Sequence, residues 1–142
     1  MASILKVDAL QGVTSAGDIT VTSEGGSATQ SLQQGLAKSW INFDGQSTGA
    51  VGDYDRDSFN CAMTVDNGTG NYTIGFTSNM GNANYVVGGC TGGNSTDPLT
   101  YTGAFLCPQQ TSSTFNIRTG SNNADSDNDR PRTYSTIHGD LA

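Results

Sequence analysis

Apolar and polar residues alternate along much of the chain between residues 39 and 138. The most regular example is residues 71–77, where Tyr72, Ile74 and Phe76 share one face of an extended backbone. A second run, residues 58–65, precedes it, and the five residues between the two runs, DNGTG, contain Asn-Gly. Two period-2 runs joined by such a loop predict a β-hairpin.

Further strand-like runs occupy residues 40–43, 84–90, 99–107, 114–118 and 133–138. The segments 46–57, 91–98 and 120–132 between them are polar and rich in Gly or Asp, which predicts loops at the outer surface. Strands at this spacing, separated by turn signals, are typical of small all-β folds. We therefore expect an all-β body over residues 39–142, a small antiparallel β-sandwich or barrel of about seven strands.

An extended N-terminal arm and a short helix are expected to precede this body, over residues 1–38. Residues 4–10 and 18–24 look like two short strands, which bury too little surface to be stable alone. We therefore interpret the segment as an attachment arm that docks by strand addition or in a groove. Its candidate attachment residues are the apolar ones: Ile4, Leu5, Val7, Leu10, Ile19 and Val21.

Residues 31–40 form the single helical candidate, because Leu32, Leu36 and Trp40 recur at a spacing of four. Gly35 in the middle of this run weakens the pattern. We predict that the three apolar residues pack around an oligomer axis. The alternative is a helix that covers one end of its own barrel.

Composition and charge narrow the function classes. Only 34% of the 142 residues are apolar and 13% are charged, while 19 are Gly, which suits short strands joined by many turns. Thirteen acidic residues against six basic ones give a net charge of −7 and no Lys/Arg stripe, so we expect no nucleic-acid binding. No run is long and apolar enough to insert into a membrane as a helix. Cys61, Cys90 and Cys107 are expected to be free thiols packed as small apolar residues in a reducing cytoplasm.

The motifs of enzymes are incomplete in this chain. Residues 88–95, GGCTGGNS, nearly fit a phosphate-binding loop, but Asn94 stands where the lysine belongs, which favours a glycine-rich hairpin loop. His138 is the single histidine, so a Ser-His-Asp or Cys-His arrangement is excluded unless it acts alone. We expect no catalytic residues and no cofactor.

Two acidic runs, Asp53/Asp55/Asp57 and Asp125/Asp127/Asp129, have a spacing that can surround Ca²⁺ with oxygen atoms. Both lack the glycine and the glutamate that complete such a loop, so solvated loops with local Asp–Arg pairing are favoured over a cation site. Tyr54 is interpreted as an exposed loop tyrosine that could stack on a sugar. Three other tyrosines are interpreted as half-buried: Tyr85, Tyr101 and Tyr134.

Three stretches resemble tail-fibre and other virion structural proteins of tailed phages, especially those from marine and cyanobacterial hosts. They are residues 4–26 (ILKVDALQGVTSAGDITVTSEGG), residues 32–45 (LQQGLAKSWINFDG) and residues 57–87 (DSFNCAMTVDNGTGNYTIGFTSNMGNANYVV). The resemblance implies a non-enzymatic virion protein, assembled in the host cytoplasm as a homotrimeric tail-fibre or appendage subunit that contacts other virion proteins. The alternatives are a capsid decoration or cement protein, and a carbohydrate-binding module that recognises a host-surface glycan.

Overall fold

A computed structural model describes residues 5–13, 19–93, 103–121 and 124–142, without the side chains of 121 and 124–126. The chain divides into two compact units, Met1–Leu36 and Ala37–Ala142.

The N-terminal unit contains little regular structure. Strands β1 (Thr20–Thr22) and β2 (Thr29–Ser31) pair antiparallel, with Val21 opposite Gln30, and helix α1 spans only Leu32–Gly35. The predicted strand over residues 4–10 is wrong for residues 5–10, which lie in neither strand nor helix, whereas residue 4 lies outside the described ranges. A strand forms only where another backbone satisfies its hydrogen-bonding groups, and the described part of this unit offers that segment none.

The predicted short helix is confirmed, but it spans only Leu32–Gly35 and not the whole predicted range of residues 31–40. The Ser31 side chain caps the helix by accepting a hydrogen bond from Gln34 N, and Leu36 is already extended (φ −92°, ψ 141°). Gly35 weakens the helix, and Trp40 belongs to the strand that follows. Leu32, Leu36 and Trp40 therefore do not form one helical stripe. Their role at an oligomer interface stays a prediction, and a shared helical stripe no longer supports it.

The C-terminal unit, called the body below, is all-β, as predicted, and sandwich-like. One sheet has the order β4-β3-β11-β7, and the other has the order β10-β9-β6-β5 with β8 also pairing with β9. Every pair is antiparallel. The strands are β3 (Ser39–Phe43), β4 (Asp55–Phe59), β5 (Cys61–Asp66), β6 (Asn71–Phe76), β7 (Val86–Gly92), β8 (Gly103–Leu106), β9 (Thr114–Ser121), β10 (Ala124–Asp127) and β11 (Arg132–His138).

The predicted hairpin is confirmed as β5 and β6, in which Asp66 lies opposite Tyr72. Two strands lie in segments predicted as loops, β4 at the end of 46–57 and β10 within 120–132, and a 3-10 helix spans Val51–Asp53. The glycine-rich run Gly88–Gly92, predicted as a hairpin loop, lies in β7. Hydrogen bonding to β3, β9 and β11 explains these differences, because pairing overrides the weak strand propensity of Asp and Gly.

The core lies between the inner faces of the two sheets. Phe43 and Tyr72 meet edge to face at a centroid distance of 5.0 Å, and Phe76 meets Tyr85 in the same way at 5.5 Å. Tyr54, Met80 and Tyr85 join this core from positions outside the strands. The buried apolar residues of the strands follow the alternation and are Ile41, Phe43, Cys61, Met63, Tyr72, Ile74, Phe115, Ile117 and Ile137. Their partners on the outer faces are left to solvent, and those outer positions carry the candidate site.

Candidate binding face

The outer face of the β4-β3-β11-β7 sheet carries three aromatic side chains. The register places Trp40 opposite both Phe59 and Thr136, and Tyr134 opposite both Asn42 and Cys90. Residues directly opposite each other in an antiparallel pair share one face of the sheet. Trp40, Phe59 and Tyr134, called the aromatic face below, therefore lie on one side of the body.

These rings are open to solvent. Trp40 and Tyr134 are each 37% exposed and Phe59 is 53% exposed, although Trp40 and Tyr134 belong to the two central strands of the sheet. The outer face of a half-buried sheet is normally polar. A large contiguous apolar patch rimmed by polar groups is one of the features that mark an interaction site.

Polar side chains surround the rings. Asn42 and Asp57 lie opposite each other next to Tyr134, and Thr136 lies between Trp40 and the side-chain-free position of Gly88. Arg132 and His138 are exposed at the two ends of β11. The face can therefore stack against a flat apolar surface and hydrogen-bond to polar groups at its margin.

A shallow cavity of about 330 Å³ adjoins this face at Phe59. Its other lining residues are Lys38, Asn60, Thr77, Ser78 and Leu141. The Asn60 amide fixes one wall, because its Nδ2 donates to Lys38 O at 3.0 Å and to Ser78 O at 3.1 Å. The volume lies at the lower end of the range usual for small-ligand sites.

In the N-terminal unit, one predicted attachment residue lies beside two of the residues predicted at an oligomer interface. Val21, Leu32 and Leu36 line one cavity of about 190 Å³, together with Gln30, Ser31 and Gly35. Among the other attachment residues, Leu5, Val7 and Leu10 are exposed and Ile19 is half-buried, whereas Ile4 lies outside the described ranges.

A tyrosine–aspartate cluster lies in the body, in which the two tyrosines are buried, Asp129 is half-buried and Asp66 is exposed. Tyr72 Oη is 2.6 Å from Asp129 Oδ1, and the same oxygen accepts Gly70 N at 2.6 Å. Tyr54 Oη donates to Asp66 Oδ2 at 3.0 Å. Burial, and after it the hydrogen bond to Asp129, raises the pKa of Tyr72 far above its usual value, and the hydrogen bond to Asp66 raises the pKa of Tyr54. Both phenols therefore stay protonated and act as structural donors, and the interpretation of Tyr54 as an exposed loop residue is wrong.

The three aspartates of the first acidic run, Asp53, Asp55 and Asp57, accept hydrogen bonds from nearby backbone N–H groups. Asp53 Oδ2 accepts Ala50 N at 3.0 Å, the Asp55 carboxylate accepts Met63 N at 3.2 Å, and Asp57 Oδ1 accepts Ser58 N at 2.9 Å. Burial raises the pKa of Asp55, and the Met63 N–H partly offsets this effect.

The second acidic run is likewise engaged where its side chains are described. Asp127 forms an ion pair with Arg118, and Asp129 holds Tyr72, while Asp125 lies outside the described side chains. Local Asp–Arg pairing also occurs between Asp44 and Arg56 at 2.7 Å. Within the described ranges no three His, Cys, Asp or Glu side chains converge as a metal site would require.

The three cysteines differ in exposure. Cys61 is buried, Cys107 is half-buried and Cys90 is exposed, and all three are free thiols. Burial raises the pKa of Cys61 and of Cys107. The expectation that all three pack as apolar residues is therefore wrong for Cys90. Its position on β7, opposite Tyr134, points it outward.

Sequence reasoning did not single out the aromatic face, because the pairing of strands distant in sequence creates it. Tyr85, predicted as half-buried, is buried, and its Oη donates to Thr111 O at 2.9 Å. Tyr101 lies outside the described ranges. The period-2 pattern around Trp40 predicts that its ring lies on the other face of the strand from the core residue Ile41. It does not predict that the ring lies beside Phe59.

Comparison with known proteins adds no relative: no family model, no curated protein and no solved structure matches the chain. In the described part of the chain, no helix has the length and apolar character needed to span a membrane.

Proposed function

We propose that the chain is a non-enzymatic structural protein of a phage virion. In this proposal it is a homotrimeric tail-fibre or appendage subunit that its N-terminal unit anchors to other virion proteins. The observation that carries the proposal is the apolar exposure of that unit. Leu5 is 76% exposed, and Val7, Leu10 and Val21 are each more than half exposed. Solvent-exposed apolar residues in a segment with so little regular structure favour docking on a partner.

The energetics of the N-terminal unit support this role. Two strands of three residues and a helix of four residues fall well below what is needed for independent stability. The cavity between Val21, Leu32 and Leu36 gives an apolar side chain of a partner a place to insert. Docking would therefore supply buried area that the unit lacks.

The test is incorporation of a double variant into particles. Ile19→Asp with Val21→Asp places two charges where apolar contact is proposed, and we expect a folded, oligomeric body that no longer joins the virion. Val65→Asp is the matched control, because Val65 is an exposed valine (46%) in a strand of the body. Normal incorporation of the double variant would refute the anchor role. Copy number separates the two virion locations, since a few trimers indicate a tail appendage and hundreds of copies indicate a capsid decoration protein.

A second candidate function is carbohydrate recognition, which the aromatic face favours. Trp and Tyr rings stack on the apolar faces of sugar rings, while Asn42, Asp57 and Thr136 supply hydrogen-bonding groups at the margin. We expect Trp40→Ala to weaken binding to a host-surface glycan about tenfold, the equivalent of about 1.4 kcal/mol. Leu106→Ala, at an exposed position on β8, should leave the affinity unchanged. Equal affinities of the two variants on a glycan array would exclude this face as the site.

A further inference from the structure

The outermost strands of the two sheets differ in how they are protected. A strand at the edge of a sheet presents unpaired backbone groups, which charged side chains, short length or capping groups normally shield. Strand β4 carries Asp55, Arg56 and Asp57, and the Asp55 carboxylate also caps Met63 N on the neighbouring edge strand β5. Strand β10 contains two aspartates in four residues, and β8 is only four residues long.

Strand β7 lacks the charges that protect the other edges, although β8 packs near it, where Phe105 approaches Gly89 and Gly103 approaches Thr91. Its seven residues, VVGGCTG, include no charged residue and no proline, and among the described strands it pairs only with β11. Val86 is 68% exposed, Gly89 and Cys90 are also exposed, and the other four residues are half-buried, so solvent reaches part of this strand. An added strand would find hydrogen-bonding groups here, and the absence of a side chain at Gly88 leaves room on the outer face.

The N-terminal arm has the sequence of a strand without a partner. Within residues 5–10, LKVDAL, Leu5, Val7 and Ala9 alternate with Lys6 and Asp8, a period-2 pattern. These residues lie in no strand in the described structure, and Leu5 and Val7 are exposed. Within the described residues the arm has no partner strand, and β7 is hydrogen-bonded to a neighbouring strand on one side only.

We propose that residues 5–10 of one copy add as an extra strand to the β7 edge of a neighbouring copy. This inference rests on the oligomeric subunit proposed above and specifies how it assembles. The contact is head to tail, because the arm and the β7 edge are different surfaces, and such contacts close into rings when the rotation between copies permits. A ring of three satisfies every arm and every β7 edge.

Native Cys90 provides the probe for this contact. Single cysteines are introduced at each position from 5 to 10 in a Cys107→Ser background, and the full-length variants are oxidised with a mild oxidant. Neighbouring strands bring side chains on the same face close enough for a disulfide. We expect intermolecular disulfides to Cys90 from alternate positions only, with at least a fivefold difference in yield between odd and even positions. Cys90→Ser should abolish them.

A second, independent experiment blocks the β7 edge. Gly88→Lys adds a charge to β7, and its Cβ would lie 3.6 Å from Thr136 Cγ2, an ordinary van der Waals contact, so the body should still fold. We expect this variant to lose the disulfides and to raise the dissociation constant of the oligomer at least tenfold. Gly52→Lys is the matched control, because no atom lies within 4 Å of the added Cβ, and it should behave like the unmodified chain.

The possible results separate the two proposals. An oligomer that gives no disulfide to Cys90, or equal yields from odd and even positions, overturns strand addition and leaves the oligomeric subunit standing. A chain that light scattering shows to be monomeric at all micromolar concentrations overturns both. Alternating yields that Gly88→Lys abolishes, and Gly52→Lys does not, support the proposed contact.

Discussion

Replacing Tyr72 by Phe tests how much the tyrosine–aspartate cluster contributes to the stability of the body. Tyr72 is fully buried, and its hydroxyl lies 2.6 Å from Asp129 Oδ1 and 3.2 Å from Gly45 O. The substitution removes only the oxygen and keeps the ring that packs on Phe43. Any loss of stability therefore reports the hydrogen bond rather than the aromatic packing.

The expected magnitude follows from the charge on the acceptor. Hydrogen bonds to charged groups contribute about 1.5–3 kcal/mol, and an acceptor left with too few partners adds a desolvation penalty. Asp129 keeps the bond from Gly70 N after the substitution, so the penalty is partial. We expect Tyr72→Phe to lower the free energy of unfolding by about 2 kcal/mol, which corresponds to a decrease in Tm of roughly 8 °C for a domain of this size.

Urea denaturation followed by tryptophan fluorescence gives the measurement, with an unchanged m-value as the sign that the folded and unfolded states are otherwise the same. Asp129→Asn and the double variant complete a thermodynamic cycle that isolates the interaction between the two side chains. Tyr54→Phe is the comparison, and we expect a smaller loss because its bond to Asp66 is longer, at 3.0 Å. A Tyr72→Phe variant within about 0.5 kcal/mol of the parent would refute this reasoning.

Three further predictions concern packing, pH and thiol reactivity. Gly45→Ala should destabilise the body by about 1–3 kcal/mol in urea denaturation, because its Cβ would overlap the hydroxyl oxygen of the buried Tyr72, whereas Gly52→Ala should be neutral. Burial, and after it the nearby Cys107, raises the pKa of Tyr85 from 10.0 to about 12. The folded state therefore holds this proton more tightly than the unfolded state, and stability present below pH 10 is lost between about pH 10 and pH 12. Tyr85→Phe should flatten that part of the stability–pH curve, and an unchanged slope would contradict the assignment. A thiol reagent should modify Cys90 in the folded protein and Cys61 only on unfolding; rapid modification of Cys61 under native conditions would contradict its burial.

Local sequence signals predicted the parts of the fold that local chemistry determines. Alternation in residues 71–77 and the Asn-Gly loop before it identified the central hairpin, since both the core face and the turn are encoded there. Local sequence signals failed where pairing with a strand distant in sequence determines the secondary structure. Strand β4 begins in an Asp-rich segment with weak strand propensity, and it forms because β3 accepts it as a neighbour.

The same reason explains what was missed at the candidate site. The helical spacing of Leu32, Leu36 and Trp40 is present in the sequence, but the pairing of β3 with β11 places Trp40 in a sheet. Once Trp40 is in that strand, its neighbours are Phe59 and Thr136, which lie far away in the sequence. The spacing of apolar residues predicts which side chains share a face only once the segment is known to be a helix or a strand. For Trp40, pairing with other strands determines that the segment is a strand.

Asn60 has a consequence for how the body unfolds. It is the only residue between β4 and β5, which belong to different sheets, and it adopts a left-handed conformation (φ 56°). Its side chain bonds to Ser78 N at 2.6 Å as well as to the carbonyls of Lys38 and Ser78. Because a one-residue slip would turn a strand inside out, this joint leaves neither sheet free to shift its register alone. We therefore expect the two sheets to be mechanically coupled and the body to unfold as a single cooperative unit rather than one sheet at a time.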